Sequence, residues 1–245
     1  MMSKSIVIIP TYNEFENISI LLNKIINLSV FFHVLIVDDN SPDGTAKAVN
    51  EYTNTYKTRI FLESRIKKEG LGKAYTHGFN WALDRDYNYI FEMDADLSHN
   101  PEDLVRMQNE LDNSNCDVII GSRYVKGINV INWPLSRIIL SYGASVYSRI
   151  ITGLPVYDAT AGFVGYKKEV LHKIDLKSIL FNGYAYQIEL KFKAYKNNFR
   201  ILEIPIVFKD RIHGESKMNG YIICEAVFGL IKLKILSYFY KNNKK

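Results

Sequence analysis

Apolar residues in the first half of the chain fall in short continuous runs, and each run is followed by a stretch with apolar positions at helical spacing. The opening run "SIVIIP" has the length and β-branching of a buried strand. In "NEFENISILLNKIIN" Phe15, Ile18, Leu22, Ile25 and Ile26 recur on one helical face, with Asn13 the expected N-cap and Glu16 three residues on. "HVLIVDD" is a second strand, and Ser41 followed by Pro42 is expected to open a second helix with Pro at its first position. Strands "RIFLE", "YIFEMD" and "DVIIGS" follow, separated by helices "GLGKAYTHGFNWALD" and "PEDLVRMQNELDN". This alternation from residue 5 to about 122 predicts an α/β fold, a parallel sheet with helices on both faces. Ligands in such sheets bind beyond the carboxyl ends of the strands, where Asn13, Asp38, Asp39, Asp94, Asp96 and Ser122 all fall.

From about residue 126 the pattern changes to long amphipathic segments, a short strand "AGFVGYKK", a helix "AYQIELKFKAYKNN" and a strand "RILEIPIVF". No linker rich in Pro, Gly or Ser and no internal repeat interrupts it. The chain therefore reads as a single domain over 1–218, with a nucleotide-type half to about 125 and an acceptor-type half over about 126–218. Residues 219–245 read as an amphipathic C-terminal helix. Two segments approach membrane character, "WPLSRIILSYGASVYSRIITGLPVY" and "GYIICEAVFGLIKLKILSYFY". Arg137 and Arg149 interrupt the first, and Glu225, Lys232 and Lys234 the second, so neither supplies the ~20 mostly apolar residues of a span. Each is either an interfacial helix on a bilayer surface or an ordinary core helix, and periodicity does not separate the two.

Composition narrows the picture only slightly. The 245 residues are 47% hydrophobic, enough for a substantial core, and the formal charge is +5 without any one basic cluster. That balance favours anionic small substrates or lipid head groups over nucleic acid. Cys116 and Cys224 are far apart and offer neither a disulfide framework nor a zinc spacing. The apolar run before Tyr12, Asn13 and Glu14 is too short for a signal peptide, so a cytoplasmic location is expected.

Chemistry concentrates in carboxylates. Asp94 and Asp96 lie two apart at a strand end, so extended backbone puts both on one side. Two neighbouring carboxylates repel unless a cation joins them, and Mg²⁺ or Mn²⁺ is held by one or two carboxylates plus substrate phosphates. A lone D-x-D is commonly a surface turn. Here "VDDNSPDGT" brings Asp38 and Asp39, and "IPTYNE" brings Tyr12 and Glu14, to the same sheet edge. "GLGKAY" is not a P-loop, because Lys67 and Ala74 stand where Gly and Ser/Thr are needed, and no G-x-G-x-x-G follows the first strand. His33, His77, His99, His172 and His213 are scattered without metal-ligand spacing.

Together "IPTYNE", "VDDNSPDGT", "GLGKAYTHG", "MDADLSHNPEDL", "GSRY", "TAGFVGYKKEVL", "GYAYQIEL" and "IPIVFKDRIHGESKM" resemble the dolichol-phosphate mannosyltransferases, in order from residue 5 to about 218. These are inverting family-2 glycosyltransferases of the A-type fold, and the likeness is to the short members without a transmembrane domain. The resemblance implies mannose transfer from GDP-mannose to a polyprenyl phosphate, with Mg²⁺ or Mn²⁺ as cofactor. Pro10, Tyr12, Glu14, Val37 and Asp39 would hold the donor nucleoside, and Asp94 with Asp96 the metal. Ser98 stands where some members have a metal-binding Gln. Arg123, Arg137 and Ser141 match positions that grip the acceptor phosphate, and Arg211 with Lys217 match the loop that closes on the donor; Asp96, Arg123 and Arg211 would carry the catalysis. Two family arginines are replaced, by Val164 after "GF" and by Tyr142 after Ser141. Peripheral binding at the cytoplasmic face of a membrane is implied, with room for a membrane-protein partner.

Two rival readings are weaker. A polyprenyl-phosphate glucosyltransferase using a UDP-sugar would share the fold, but its relatives typically carry several spans. A nucleic-acid binder leaves the converging carboxylates without a role, and no basic stripe with interleaved aromatics supports it.

Overall fold

The structure, a computed structural model, describes residues 4–211 and 227–237. In chain order the elements are β1 (Ser5–Thr11), α1 (Phe15–Ile26), β2 (His33–Asp38), α2 (Thr45–Thr55), β3 (Ile60–Ser64) and α3 (Leu71–Leu83). Then come β4 (Tyr89–Glu92), α4 (Glu102–Asn113), β5 (Val118–Ser122), β6 (Val130–Ile131) and α5 (Leu135–Thr152). β7 (Val164–Lys167), α6 (Lys168–Lys173), a 3-10 turn (Leu176–Ser178), α7 (Ala185–Lys196), β8 (Ile201–Pro205) and β9 (Phe208–Lys209) complete residues 4–211. Residues 227–237 form a further helix, α8.

Seven strands form one sheet in the order β3-β2-β1-β4-β7-β5-β8, and β6 pairs with β9 in a separate ribbon. Strand β1 shows why the runs read as continuously apolar. Ile6 and Ile8 point into a core under α3 and α7, while Val7 and Ile9 point into a second core under α1, α2 and α4. Both faces are covered, so alternation disappears. The chain turns outward from β1 through β2 to β3, then crosses back to β4 on the other side of β1. That reversal opens a crevice at the carboxyl ends of β1 and β4.

The sheet is mostly parallel, not wholly so. β7 runs antiparallel and wedges between β4 and β5, the pair that alternation alone would join directly. Gly165 permits the insertion, because a Cβ there would meet the Phe91 ring at 2.5 Å and Ile119 at 2.8 Å. Gly165→Val is expected to destabilise the fold by about 1–3 kcal/mol through overpacking, measured by urea unfolding. A change below about 0.5 kcal/mol would mean the neighbouring side chains give way freely.

Two helix starts differ from the sequence expectation. Asn13 is not an N-cap: it sits at φ 59 in the left-handed region, and α1 begins at Phe15, whose N–H is held by Asp43 Oδ2 at 3.0 Å. The second helix opens at Thr45 rather than Pro42: Gly44 at φ 91 is its N-cap, and Asp43 Oδ1 accepts from Thr45 N–H at 3.0 Å. One carboxylate in the "SPDGT" turn thus accepts from the first N–H of both helices.

The C-terminal helix has two faces. Leu230 and Leu233 are buried in the core under α3 and α7, Tyr147 donates to the Val227 carbonyl at 2.9 Å, and Lys234 donates to the Thr152 carbonyl at 3.0 Å. Phe228, Ile231 and Ile235 face outward, as do Leu135, Ile139, Tyr142 and Ile150 on α5. Among the described residues no helix is long and apolar enough to cross a membrane. Lys217 and the rest of the predicted tail, including Ile222 and Ile223, lie outside the described residues.

Candidate active site

Strand β4 stops at Glu92 and the chain kinks into a tight loop that carries the two carboxylates. Ser98 N–H bonds to Asp96 Oδ1 at 3.1 Å, closing a turn on that side chain, and Leu97 between them is held at φ 62. A leucine in the left-handed region is strained, so the surrounding contacts must over-determine it. His99 supplies one of them. It is buried, stacks on Phe163, and its Nδ1 accepts from Asp94 N–H at 3.3 Å. Burial pushes its pKa down to about 4, so the ring is neutral and serves as a brace rather than a base. The spacing of the histidines gave His99 no metal-ligand role, and here it packs against the carboxylate loop.

The two carboxylates affect each other strongly. Burial, and after it the charge of Asp96, push the Asp94 carboxyl up to about 8, against the opposing pull of Arg211. Arg211 Nη2 lies 3.5 Å from Asp96 Oδ2. Ser98 Oγ, in the same loop, is buried without a hydrogen-bond partner. These residues fit a divalent cation: crowded carboxylates, an orphaned hydroxyl oxygen, and an all-oxygen donor set suited to Mg²⁺ or Mn²⁺. Among the described residues no group of three or more His, Cys, Asp or Glu side chains forms a complete metal cage. A ligand diphosphate would have to finish the shell.

On the β1/β2 side the sequence candidates divide. Asp38 is engaged inside the protein: Oδ1 accepts from Thr11 and Ser41 hydroxyls at 2.8 and 2.6 Å, and Oδ2 from Ser41 N–H at 2.9 Å. Asp39 is the carboxylate at the crevice, paired with Arg65 Nη1 at 3.1 Å and pushed up in pKa by burial despite that arginine. Val37 is fully buried under α3, so its backbone is what it offers a ligand, while Pro10 lies opposite it in register. Tyr12 carries Lys68 over its ring at 4.2 Å, and Glu14 accepts from Asn17. Arg65 and Lys68 were not among the sequence candidates. Their signal was the basic stretch Arg65, Lys67 and Lys68 directly after β3, at the same carboxyl edge.

The acceptor-side candidates gather around the β6/β9 ribbon. Arg123, nearly buried, grips Asp158 through Nε at 2.7 Å and Nη2 at 2.6 Å, and Nη2 also reaches Thr160 at 2.8 Å. Its other face meets aromatic rings, those of Tyr124, Trp133 and Phe208 lying within 5.7 Å of the guanidinium carbon. Arg137 bonds to Asp210 at 2.7 Å and stacks over Trp133 at 4.1 Å, and Ser141 Oγ accepts from Tyr124. Consecutive residues thus serve two half-sites: Asp210 orients Arg137, and Arg211 faces Asp96. Lys209 N–H bonding to the Ser98 carbonyl at 3.2 Å ties the ribbon to the carboxylate loop. Asp158, with no exposed surface, has no local sequence signal.

Beneath the carboxylates lies a buried polar layer, also invisible in the sequence pattern. Glu92, the last residue of β4, accepts from Tyr186 OH at 2.8 Å and is pushed up to about 7 by burial, with Lys191 opposing. Lys191, itself lowered to about 8 by burial, donates to the Ala161 and Gln187 carbonyls at 2.7 and 3.0 Å. The layer pins the "TAGF" segment against the site floor.

A family profile described as "Glycosyl transferase family 2" matches residues 6–175. The chain is 45% identical over 225 residues to the polyprenol monophosphomannose synthase of Mycolicibacterium smegmatis, covering 92% of this chain and 84% of that protein. It is 41% identical over 228 residues to the undecaprenyl-phosphate mannosyltransferase of Micrococcus luteus, covering 92% and 91%. Glucosyl-3-phosphoglycerate synthase from Mycobacterium tuberculosis, solved with Mn²⁺, uridine diphosphate and glucosyl-3-phosphoglycerate, shares the fold, with a TM-score of 0.66 over 94% of this chain and 80% of that one at 14% identity. The expected A-type glycosyltransferase fold is therefore the fold observed. By its match over residues 6–175 and its identity to these relatives, the chain belongs to glycosyl transferase family 2.

Proposed function

We propose that the protein transfers mannose from GDP-mannose to the phosphate of a polyprenyl phosphate in one displacement that inverts the anomeric centre. The observation that carries this reading is the coupling through residues 210–211, which joins a crowded carboxylate pair to a cluster of two arginines. Two anions must be brought together in such a reaction, and the site offers a separate cationic partner for each. The relatives' names support mannose and a polyprenyl phosphate as the sugar and acceptor.

In this mechanism an ionised phosphate monoester attacks the anomeric carbon, and the bond from that carbon to the diphosphate breaks with its electron pair leaving on GDP. No proton has to be removed from the acceptor, which agrees with a neutral, structurally engaged His99 beside the site. Asp94, Asp96 and Ser98 would hold Mg²⁺ or Mn²⁺. That ion, when bound, neutralises the diphosphate and stabilises its departure. Arg211 adds charge on the donor side, and Asp39, Tyr12, Glu14 and the backbone of Pro10 and Val37 receive the nucleoside. Arg123, Arg137 and Ser141 orient the acceptor phosphate. Purified protein incubated with GDP-mannose or UDP-glucose, Mg²⁺ or Mn²⁺ and a polyprenyl phosphate, followed by mass spectrometry of the lipid, tests the assignment. A glucosylated lipid from UDP-glucose with none from GDP-mannose would overturn it.

The acceptor cannot leave the bilayer cheaply, at ~0.8 kcal/mol for each CH₂ exposed, so the site must come to the membrane. The outward apolar residues of α5 and α8 supply the surface for peripheral binding at the cytoplasmic face. The double substitution Ile139→Asp and Ile231→Asp is expected to lower partition onto anionic vesicles about tenfold or more, with GDP-mannose affinity unchanged. Undiminished flotation of that variant would exclude these faces.

A further inference from the structure

Trp133 occupies the turn from β6 into α5, between Asn132 at φ 64 and Pro134 in extended conformation. Its indole lies between the two acceptor-side arginines. The Arg137 guanidinium carbon is 4.1 Å from the ring centroid and that of Arg123 is 5.7 Å away, while Phe208 closes on the ring edge-on at 5.2 Å. Both guanidinium groups are held in fixed orientation by carboxylates, Asp210 through Arg137 Nη1 and Asp158 through Arg123 Nε and Nη2. Within this ordered cluster the indole Nε1 is buried and has no hydrogen-bond partner.

A buried indole N–H normally finds an acceptor, and leaving it unpaired destabilises the protein. The group donates and cannot accept, so whatever completes it must be an acceptor. The two flanking guanidinium groups, each already paired with one carboxylate, still favour an anionic acceptor because each carries further N–H donors. Phosphate, with several strong acceptor oxygens, can take the indole N–H and a guanidinium N–H together. Ser141, which accepts from Tyr124 OH at 2.8 Å, keeps its own hydroxyl proton to give to the same group. The position favours the lipid phosphate over the donor diphosphate. α5 carries Arg137 and Ser141, and Leu135, two residues beyond the indole, is 70% exposed on the outward apolar face of α5. An indole beside such a face suits the level of lipid head groups.

We infer that Trp133 is an acceptor-binding residue whose Nε1–H donates to the phosphate of the lipid substrate between Arg123 and Arg137. The inference rests on the acceptor reading above and assigns a donor to it that the sequence motifs did not supply.

Trp133→Phe keeps an aromatic ring for Arg137 and removes the N–H donor together with the pyrrole part of the indole. With citronellyl phosphate as acceptor, its KM is expected to rise about tenfold, equivalent to about 1.4 kcal/mol, with kcat and the KM for GDP-mannose unchanged. A second measurement needs no turnover. Trp81 and Trp133 are the two tryptophans of the chain, so Trp81→Phe leaves Trp133 as its sole indole reporter. Its emission is expected to shift on titration with citronellyl phosphate and to stay constant with citronellol or GDP. An unchanged acceptor KM in Trp133→Phe overturns the inference while leaving mannosyl transfer intact. An emission shift with citronellyl phosphate in a protein that transfers no mannose sustains the inference and removes the mannosyl reading instead. A response to GDP alone, or one equally strong with inorganic phosphate, overturns the lipid-phosphate assignment.

Discussion

Asp96→Asn lowers turnover about 100- to 1,000-fold, the scale of losing one group that stabilises developing charge, and leaves the fold in place. The substitution preserves volume and the turn-closing acceptor, since an amide oxygen can still receive Ser98 N–H at the position of Oδ1. What disappears is a negative charge. Asp94, raised to about 8 by burial and after it by Asp96, then loses that repulsion, which works against any loss of stability. Mn²⁺ binding in the presence of GDP, followed by calorimetry, separates this loss from the simultaneous loss of the Arg211 contact at 3.5 Å. Weakened Mn²⁺ binding is the expected outcome. Full activity in Asp96→Asn would falsify the assignment of this carboxylate to the metal.

Asp158→Ala destabilises the protein by about 3–5 kcal/mol, because it strands the Arg123 guanidinium in a buried position with its main partner gone. The expectation follows from geometry: Asp158 has no exposed surface and accepts from Arg123 Nε, Nη2 and N–H, as well as from Thr160 and Ser145. Replacing both residues together, Arg123→Met with Asp158→Leu, restores much of the stability, since removing a whole buried pair is often close to neutral. If Arg123 serves the acceptor phosphate, the restored double variant remains inactive with polyprenyl phosphate. A stable and fully active double variant would assign the pair to the fold alone. The pH dependence has a definite sign. Burial pushes Asp158 up, but Arg123 outweighs it and holds the carboxyl below 3.8, so its contribution is complete above the unfolded-state value and fades as pH falls through the lower folded one. The stability gap between wild type and Asp158→Asn therefore narrows in strong acid, measured by urea unfolding across that range.

Much of the donor side was legible along the chain. Strands β1 to β5 and the helices between them carry local periodicity, and their carboxyl ends carry the carboxylates in short quoted motifs. Asp94, Asp96, Ser98 and Asp39 lie at the crevice where those motifs put them. Asp38 was equally plausible on paper, yet Thr11 and Ser41 occupy its oxygens. No spacing rule distinguishes it from Asp39, because the difference depends on which way each side chain leaves the end of β2.

The acceptor side divides differently. Arg123, Arg137, Ser141 and Arg211 were found through motifs, but Asp158 and Asp210 lie 35 and 73 residues from the arginines they hold, and no local spacing announces either pairing. Nor does any pattern announce that β7 enters the sheet backwards between β4 and β5, carrying "TAGF" onto the floor of the site. The C-terminal segment left two readings open; Leu230 and Leu233 enter the core while Phe228 and Ile231 stay outside. The sequence by itself determined what depends on neighbours a few residues apart: strand and helix identity, the alternating fold class, and the carboxylate chemistry at strand ends. Only the tertiary structure decided which charges are paired, which are left for a ligand, and which apolar face is covered, because those properties depend on burial and distance between segments remote in the chain.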